Sequence, residues 1–234
     1  MIRISLAAGL VCFSASALAG RPLATEDAGF IEKGGFESEN YFYGQREPGT
    51  DRLTGFHTQF SAGIGLNTQL GIGLDISRQY NADYDAKKSS GAQTFGGKTG
   101  IKELTDDAYG IAVAYGVDRT RSPAEKYRYD NAYINGVVTV PKGDWLFHGN
   151  LGWKRSRLGQ TSGTTWALAA ERTGAIGPVD LAVETFGDDH EPAWVQVAAR
   201  WTVVEDKVFV DFSYGEQLKN QGPKLTTLGF KFAF

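Results

Sequence analysis

Apolar and polar residues alternate along most of the chain after residue 34, and a period of two predicts β-strands. In one predicted strand, Phe56, Phe60 and Ile64 share a face, while His57 and Gln59 occupy the other. The same pattern, interrupted by turn residues, predicts about twelve strands. The pattern is weaker in four of them, over residues 35–44, 96–104, 131–140 and 164–173. The sequence therefore predicts an all-β fold.

The connections between these strands alternate in length. Tight turns are predicted near Asn67, Asp106, Gly143, Gly177 and Asp206. Longer loops are predicted over residues 45–52, 78–95, 119–130, 156–163, 187–192 and 216–223. Short turns on one side and longer loops on the other are typical of outer-membrane barrels, and an even strand number lets the first strand pair with the last. We expect residues 34–234 to form a closed antiparallel transmembrane β-barrel.

The last predicted strand supports this interpretation. Leu228, Phe230, Phe232 and Phe234 form one apolar face that ends at the terminal phenylalanine. This pattern resembles the C-terminal signal read by the bacterial barrel-assembly machinery, which is therefore an expected partner. The alternative is a soluble sandwich or lipocalin-like barrel with these apolar residues in its core. The terminal phenylalanine and the charged, glycine-rich opposite face favour the membrane barrel.

The N-terminus has the pattern of a secretory signal peptide. Arg3 precedes an apolar stretch without acidic residues, which ends at the small-residue motif Ala17-Leu18-Ala19. We expect residues 1–19 to be removed, leaving residues 20–33 as a periplasmic segment before the barrel. The only cysteine, Cys12, lies in the signal peptide, so no disulfide is expected. The formal net charge of −3 gives no nucleic-acid signature.

With the apolar face toward outer-membrane lipids and lipopolysaccharide, the polar face lines the lumen. The candidate pore-lining residues are Glu37, His57, Gln59, Asp75, Lys102, His148, Asn150, Lys154, Glu171, Glu184, Arg200, Asp211 and Lys231. These charges could select small solutes in a water-filled pore, or form a packed network that only holds the wall together. As a further hypothesis, Lys154, Glu184 and Arg200 line the constriction. Tyr41 and Tyr43 are among the aromatic residues expected in the interfacial girdle.

Three other segments have two interpretations each. Residues 20–33 are either a plug inside the lumen or a flexible tail. The basic loop 118–130 could bind lipopolysaccharide phosphates, although a solvated loop is the simpler interpretation. Residues 188–191 combine Asp, His and Glu, but four adjacent residues rarely converge on one ion, so no metal or cofactor is predicted.

Catalysis also has to be considered, because some outer-membrane barrels cut lipids. A hydrolase needs a nucleophile, a base and an orienting group within reach of one another. His57 and His148 are the only histidines expected in the lumen, and Ser61 lies about 13 Å from His57 along an extended strand. A cross-strand partner such as Ser38 or Ser77 leaves a lipid-modifying enzyme as a third, less favoured alternative. We therefore predict that the protein is not an enzyme.

Several segments resemble the MetA-pathway of phenol degradation family of outer-membrane, transporter-like proteins. These are residues 21–29 (RPLATEDAG), 33–37 (KGGFE), 65–70 (GLNTQL) and 149–153 (GNLGW). The resemblance implies passage or uptake of small solutes, including aromatic or hydrophobic compounds. The sequence thus predicts a passive diffusion barrel in the bacterial outer membrane, with a closed structural or surface-binding barrel as the alternative.

Overall fold

Twelve antiparallel strands close into one barrel in the computed structural model of the protein, which describes residues 23–46, 52–81, 86–123, 125–219 and 221–234. The strands are β1 (Phe36–Arg46), β2 (Arg52–Gly65), β3 (Thr68–Asn81), β4 (Ala86–Lys102), β5 (Gly110–Arg121), β6 (Arg128–Lys142), β7 (Trp145–Ser156), β8 (Thr161–Ile176), β9 (Val179–Asp188), β10 (Trp194–Val204), β11 (Val208–Gln217) and β12 (Lys224–Ala233). The predicted fold class and strand number are confirmed. The predicted signal peptide lies outside the described residues.

The first and last strands close the barrel. β1 pairs antiparallel with β12 in a register that sets Tyr41 opposite Gly229. At the end of the seam, the backbone amides of Phe36 and Phe234 each donate to the other residue's carbonyl, at 3.0 and 2.8 Å. No sheet edge is left open, which is the condition for strands to cross a membrane.

The outer face of the barrel is apolar. Large hydrophobic side chains at alternate positions are exposed, among them Phe60, Ile72, Leu151, Val197 and Phe212. The buried side chains on the inner face are mostly polar or small instead, as the alternation predicts. Exposed apolar residues outside and polar residues inside form the surface that a lipid bilayer requires. None of the described residues forms a helix long and apolar enough to cross a membrane.

Several predicted loops belong largely to strands. β3 and β4 run to Asn81 and from Ala86, so most of the predicted loop 78–95 is paired sheet. The other predicted long loops are shortened in the same way. Alternation fails here because both faces of the sheet are polar, as in strands that extend beyond the bilayer.

The end of the barrel away from these extended strands carries the tighter turns. β1 begins and β12 ends at this end. At the β2–β3 turn, Leu66 and Asn67 have φ values of 55° and 54°, the left-handed pair that a tight hairpin favours. In outer-membrane barrels the tight-turn end faces the periplasm. We refer to it below as the periplasmic end.

Candidate functional site

The lumen contains nearly all the side chains that the sequence places there. Directly paired residues on neighbouring strands share a face, and the pairing traces one continuous inner surface around the barrel. On this surface lie Glu37, His57, Gln59, Asp75, His148, Asn150, Lys154, Glu171, Glu184, Arg200, Asp211 and Lys231.

Lys102 is the exception, and its predicted lumen position is wrong. A β-bulge between Gly100 and Lys102 sets Lys102 opposite Ile111 instead of continuing the inner face. Its Nζ atom lies 3.2 Å from the ring centroid of the outward-facing Tyr109. One extra residue in a strand reverses the side on which the following side chains project.

The segment Leu23–Lys33, which precedes β1, lies inside the barrel and contacts several strands. We call it the N-terminal segment. Its deepest anchor is Glu184 on β9. The Glu184 carboxylate accepts the backbone amides of Ala24 and Thr25, each at 2.8 Å, and the Thr25 hydroxyl at 2.6 Å. Gln196 donates a fourth hydrogen bond to the same carboxylate at 2.7 Å.

Asn150 on β7 recognises the next residue through its backbone. The Glu26 amide donates to Asn150 Oδ1 at 2.7 Å, and Asn150 Nδ2 donates to the Glu26 carbonyl at 3.0 Å. Further along, the Ala28 amide donates to the Thr139 hydroxyl at 2.9 Å, and the Ile31 amide donates to Gln69 Oε1 at 2.8 Å. The wall therefore satisfies backbone groups of the N-terminal segment from β3, β6, β7 and β9.

Lys98 on β4 supplies the electrostatic contact. Its Nζ lies 3.5 Å from Glu26 Oε2 and 3.5 Å from Asp27 Oδ1, and it donates to the Asp27 carbonyl at 3.1 Å. Burial raises the pKa of Glu26 to about 8, although Lys98 acts in the opposite direction. Burial also opposes ionisation of Asp27, but Lys98, together with weaker contributions that include the Gly29 amide, lowers the pKa to about 2. Asp27 is therefore the charged partner of Lys98 at neutral pH.

Small side chains make room for the N-terminal segment. Leu23 packs against Ala169, Ala182 and Ala198, and a second cluster joins Ala28 to Ala112, Ala114 and Val137. Gly63 and Gly100 have no side chain where the segment passes. A Cβ atom would overlap the Glu32 carbonyl at Gly63 and the Phe30 ring at Gly100. Larger side chains at these positions would have no room beside the segment.

Ion pairs hold other parts of the inner wall. Lys231 Nζ lies 2.9 Å from Glu37 Oε2 and 3.6 Å from Glu39 Oε1, across the β1–β12 seam. Lys154 pairs with Asp188 at 2.7 Å where β7 and β9 approach their extracellular ends. Arg200 lies toward the periplasmic end of β10, so Lys154, Glu184 and Arg200 do not form one ring. The hypothesis that these three residues share a constriction is wrong.

Aromatic side chains also line the lumen. Tyr41 stacks on His57 with ring centroids 4.7 Å apart, and the Tyr43 hydroxyl donates to Asp75 at 3.0 Å. Tyr41 and Tyr43 therefore face inward and are not part of the predicted outer girdle. Phe186 and Trp194 form another stacked pair, with centroids 6.3 Å apart.

One arrangement superficially resembles a hydrolase triad. Thr139 Oγ1 lies 3.0 Å from His148 Nδ1, and His148 Nε2 lies 3.6 Å from Glu171. The Thr139 hydroxyl is fully buried and accepts the Ala28 amide, so no substrate carbonyl can reach it in this arrangement. Here, Thr139 is an attachment point for the N-terminal segment, and His148 lies behind it.

In the loop residues that the structure describes, two predicted features can be followed. Asp188 accepts the amides of His190 and Glu191, and the described residues contain no cluster of three metal-ligating side chains. In the basic loop, Arg119 bonds to Gln93 and to the Tyr127 carbonyl. Lipopolysaccharide binding by this loop stays a prediction.

Comparisons with solved structures identify the fold class as that of bacterial outer-membrane barrels. The COG4313 outer membrane channel from Pseudomonas putida F1 matches with a TM-score of 0.61 at 11% identity, covering 89% of this chain and 98% of that chain. The KdgM porin in complex with disordered oligogalacturonate matches with a TM-score of 0.56 at 11% identity, covering 84% and 99%. Outer membrane phospholipase A from Escherichia coli matches with a TM-score of 0.51 at 7% identity, covering 83% and 92%.

Sequence identities this low establish a shared fold, but neither a family nor a substrate. No protein-family model matches the chain, and no curated protein matches its sequence. The barrel is thus similar to outer-membrane channels without a family assignment, and the resemblance to the phenol-degradation family contributes only to the proposal below.

Proposed function

We propose that the protein is an outer-membrane channel through which small solutes diffuse passively. The observation that carries this proposal is the inner wall, a surface of mostly polar or small side chains enclosed by a closed barrel with an apolar outer face. A barrel of twelve strands has a wider interior than an eight-stranded one, which side chains alone can fill. The channels and porins among the structural matches share this architecture.

The charges on the wall favour cations. Acidic side chains outnumber basic ones on the inner face, and they are Glu37, Glu39, Asp75, Asp118, Asp130, Glu171, Asp180, Glu184, Asp188 and Asp211. Among the described side chains, the basic residues on that wall are Lys98, Arg128, Lys154, Arg200 and Lys231. A lumen with excess negative charge concentrates cations and excludes anions.

Aromatic solutes are a second expectation for the same lumen. The family resemblance implies such compounds, and the Tyr41–His57 and Phe186–Trp194 stacks provide inner-surface rings that a flat solute could contact. The oligogalacturonate of the KdgM complex is an anionic solute of that protein. The acidic wall of this barrel argues against the same solute class here.

Reversal potential in a planar bilayer tests this proposal. With many copies of the refolded mature protein and a potassium chloride gradient, we expect current with a permeability for potassium greater than that for chloride. Because the current sums over many channels, even rare openings are enough to measure the reversal potential. Anion preference would contradict the proposed selectivity. Absence of current from folded protein, with or without the N-terminal segment, would favour the closed structural barrel.

A further inference from the structure

We propose that the periplasmic half of the lumen wall is a binding site for an extended peptide, which the N-terminal segment occupies, and that solute passes when this segment leaves. The inference rests on the proposed channel function for its second half. Its first half, the docking of the segment, stands on the contacts alone.

The wall recognises the segment chiefly through its backbone. Main-chain amides of the segment donate to side-chain oxygens of Glu184, Asn150, Thr139 and Gln69, which are carboxylate, amide or hydroxyl oxygens. The recognised donors recur over residues 24–31. Such a pattern fits a peptide chain outside helix and sheet, whose amides are not used by regular secondary structure, although the Gly29 amide bonds within the segment to Asp27 Oδ1.

The inner part of the docked segment and two of its receptors are buried. Thr25, Glu26 and Ala28 are nearly or fully buried, and Glu184 and Thr139 are 2% and 0% exposed. A buried carboxylate without partners is costly, so Glu184 stabilises the docked state strongly while its four donors remain in place.

A turn of the backbone at residues 33–34 connects the N-terminal segment to the sheet. Gly34 follows the segment with φ of 89°, a conformation that favours glycine. Beyond this point the chain joins the sheet, because the Gly34 amide donates to the Gly63 carbonyl and the Gly63 amide donates to the Gly35 carbonyl. Gly34 therefore separates a sheet-bound stem from a segment that side chains of the wall hold.

Release of the segment would uncover the acceptors that held it. Glu184 would then present a carboxylate to the lumen beside Gln196, and the Asn150 and Thr139 oxygens would be uncovered as well. This adds negative charge to the open path and agrees with the cation preference proposed above. Glu184 would hold the segment in the closed state and line the pore as an acidic residue in the open state.

Thiol labelling tests docking independently of conduction. Ala28→Cys places a thiol in the buried cluster, and the expected removal of Cys12 with the signal peptide leaves no other cysteine. In this background we expect Glu184→Ala, and separately Asn150→Ala, to raise the labelling rate by a membrane-impermeant methanethiosulfonate at least about tenfold. Asp75→Asn is the matched control, since this lumen acid pairs with His57 and Tyr43 and does not hold the segment. Its labelling rate should not change.

The same variants, shown to be folded by heat-modifiable migration, are then measured in bilayers. A higher open probability for Glu184→Ala and Asn150→Ala than for Asp75→Asn is the expected result. Equal labelling rates in all variants would overturn docking at Glu184 and Asn150. Increased labelling with unchanged open probability in a conducting protein would overturn the gate and leave the channel intact. Increased labelling without any current would overturn the proposed channel function instead.

Discussion

Replacing Gly63 by alanine is expected to displace the N-terminal segment and raise the open probability of the channel. A Cβ atom at this inward-facing position would overlap the carbonyl oxygens of Ile31 and Glu32. Overpacking of this kind typically costs about 1–3 kcal/mol, and about 1.4 kcal/mol corresponds to a tenfold change in an equilibrium. We therefore expect the ratio of docked to released segment to fall roughly ten- to a hundredfold, as measured by open probability in single-channel recordings.

Gly73→Ala is the matched control for this substitution. Gly73 also faces the lumen, but a Cβ atom there would make ordinary contacts of 3.5 Å with His57 and Thr94. Both variants are first shown to be folded, because Gly63 also bonds to the stem at Gly35. Equal open probabilities for the two folded variants would contradict the close fit between segment and wall.

Replacing Lys231 by alanine is expected to weaken the closed barrel. Lys231 is the cation that links Glu37 and Glu39 across the β1–β12 seam. Its removal leaves two acidic side chains of β1 side by side on the inner wall without this cation. Loss of a partner to a partly buried charged group costs about 1–3 kcal/mol, so the free energy of unfolding in urea should fall by that amount.

Lys224 on the same strand provides the control. It pairs with Glu216 at 3.7 Å, and both side chains are about half exposed. Exposed ion pairs contribute about 0–1 kcal/mol, so Lys224→Ala should change stability much less. Similar losses for both substitutions would contradict a specific role for Lys231 in closing the seam.

The alternation of apolar and polar residues predicted the barrel well because the two faces of its wall meet different environments. Lipid selects apolar residues at every second position, while the lumen accepts small and polar ones. Phe56 and Phe60 outside and His57 and Gln59 inside follow from this difference alone. Where both faces of the sheet are polar, as in the early part of β4, no alternation remains and a loop was the expected structure.

Other features depended on information that a period of two does not contain. The bulge before Lys102 adds one residue and reverses the face, and nothing in the local sequence marks it except Gly100. Tyr41 and Tyr43 have amphipathic side chains that suit either an interface or a hydrogen-bonded lumen. Their position in a strand with weak alternation left the choice to tertiary packing.

The contacts of the N-terminal segment were the least predictable part of the site. They join residues far apart in the sequence, such as Thr25 with Glu184 and Ala28 with Thr139. Most of them use backbone amides, which every residue except proline carries. The sequence could indicate lumen polarity and a candidate segment, but not which side chains would receive it. Thr139 and Gln69 were missed for this reason.

The most direct test of a channel closed by its own N-terminal segment is single-channel conductance of the refolded mature protein, compared with a variant lacking residues 20–33. We expect rare openings in the complete mature chain and sustained conductance in the truncated one. Equal, steady conductance in both would contradict closure by the segment. Silence in both, from protein shown to be folded, would contradict the channel itself.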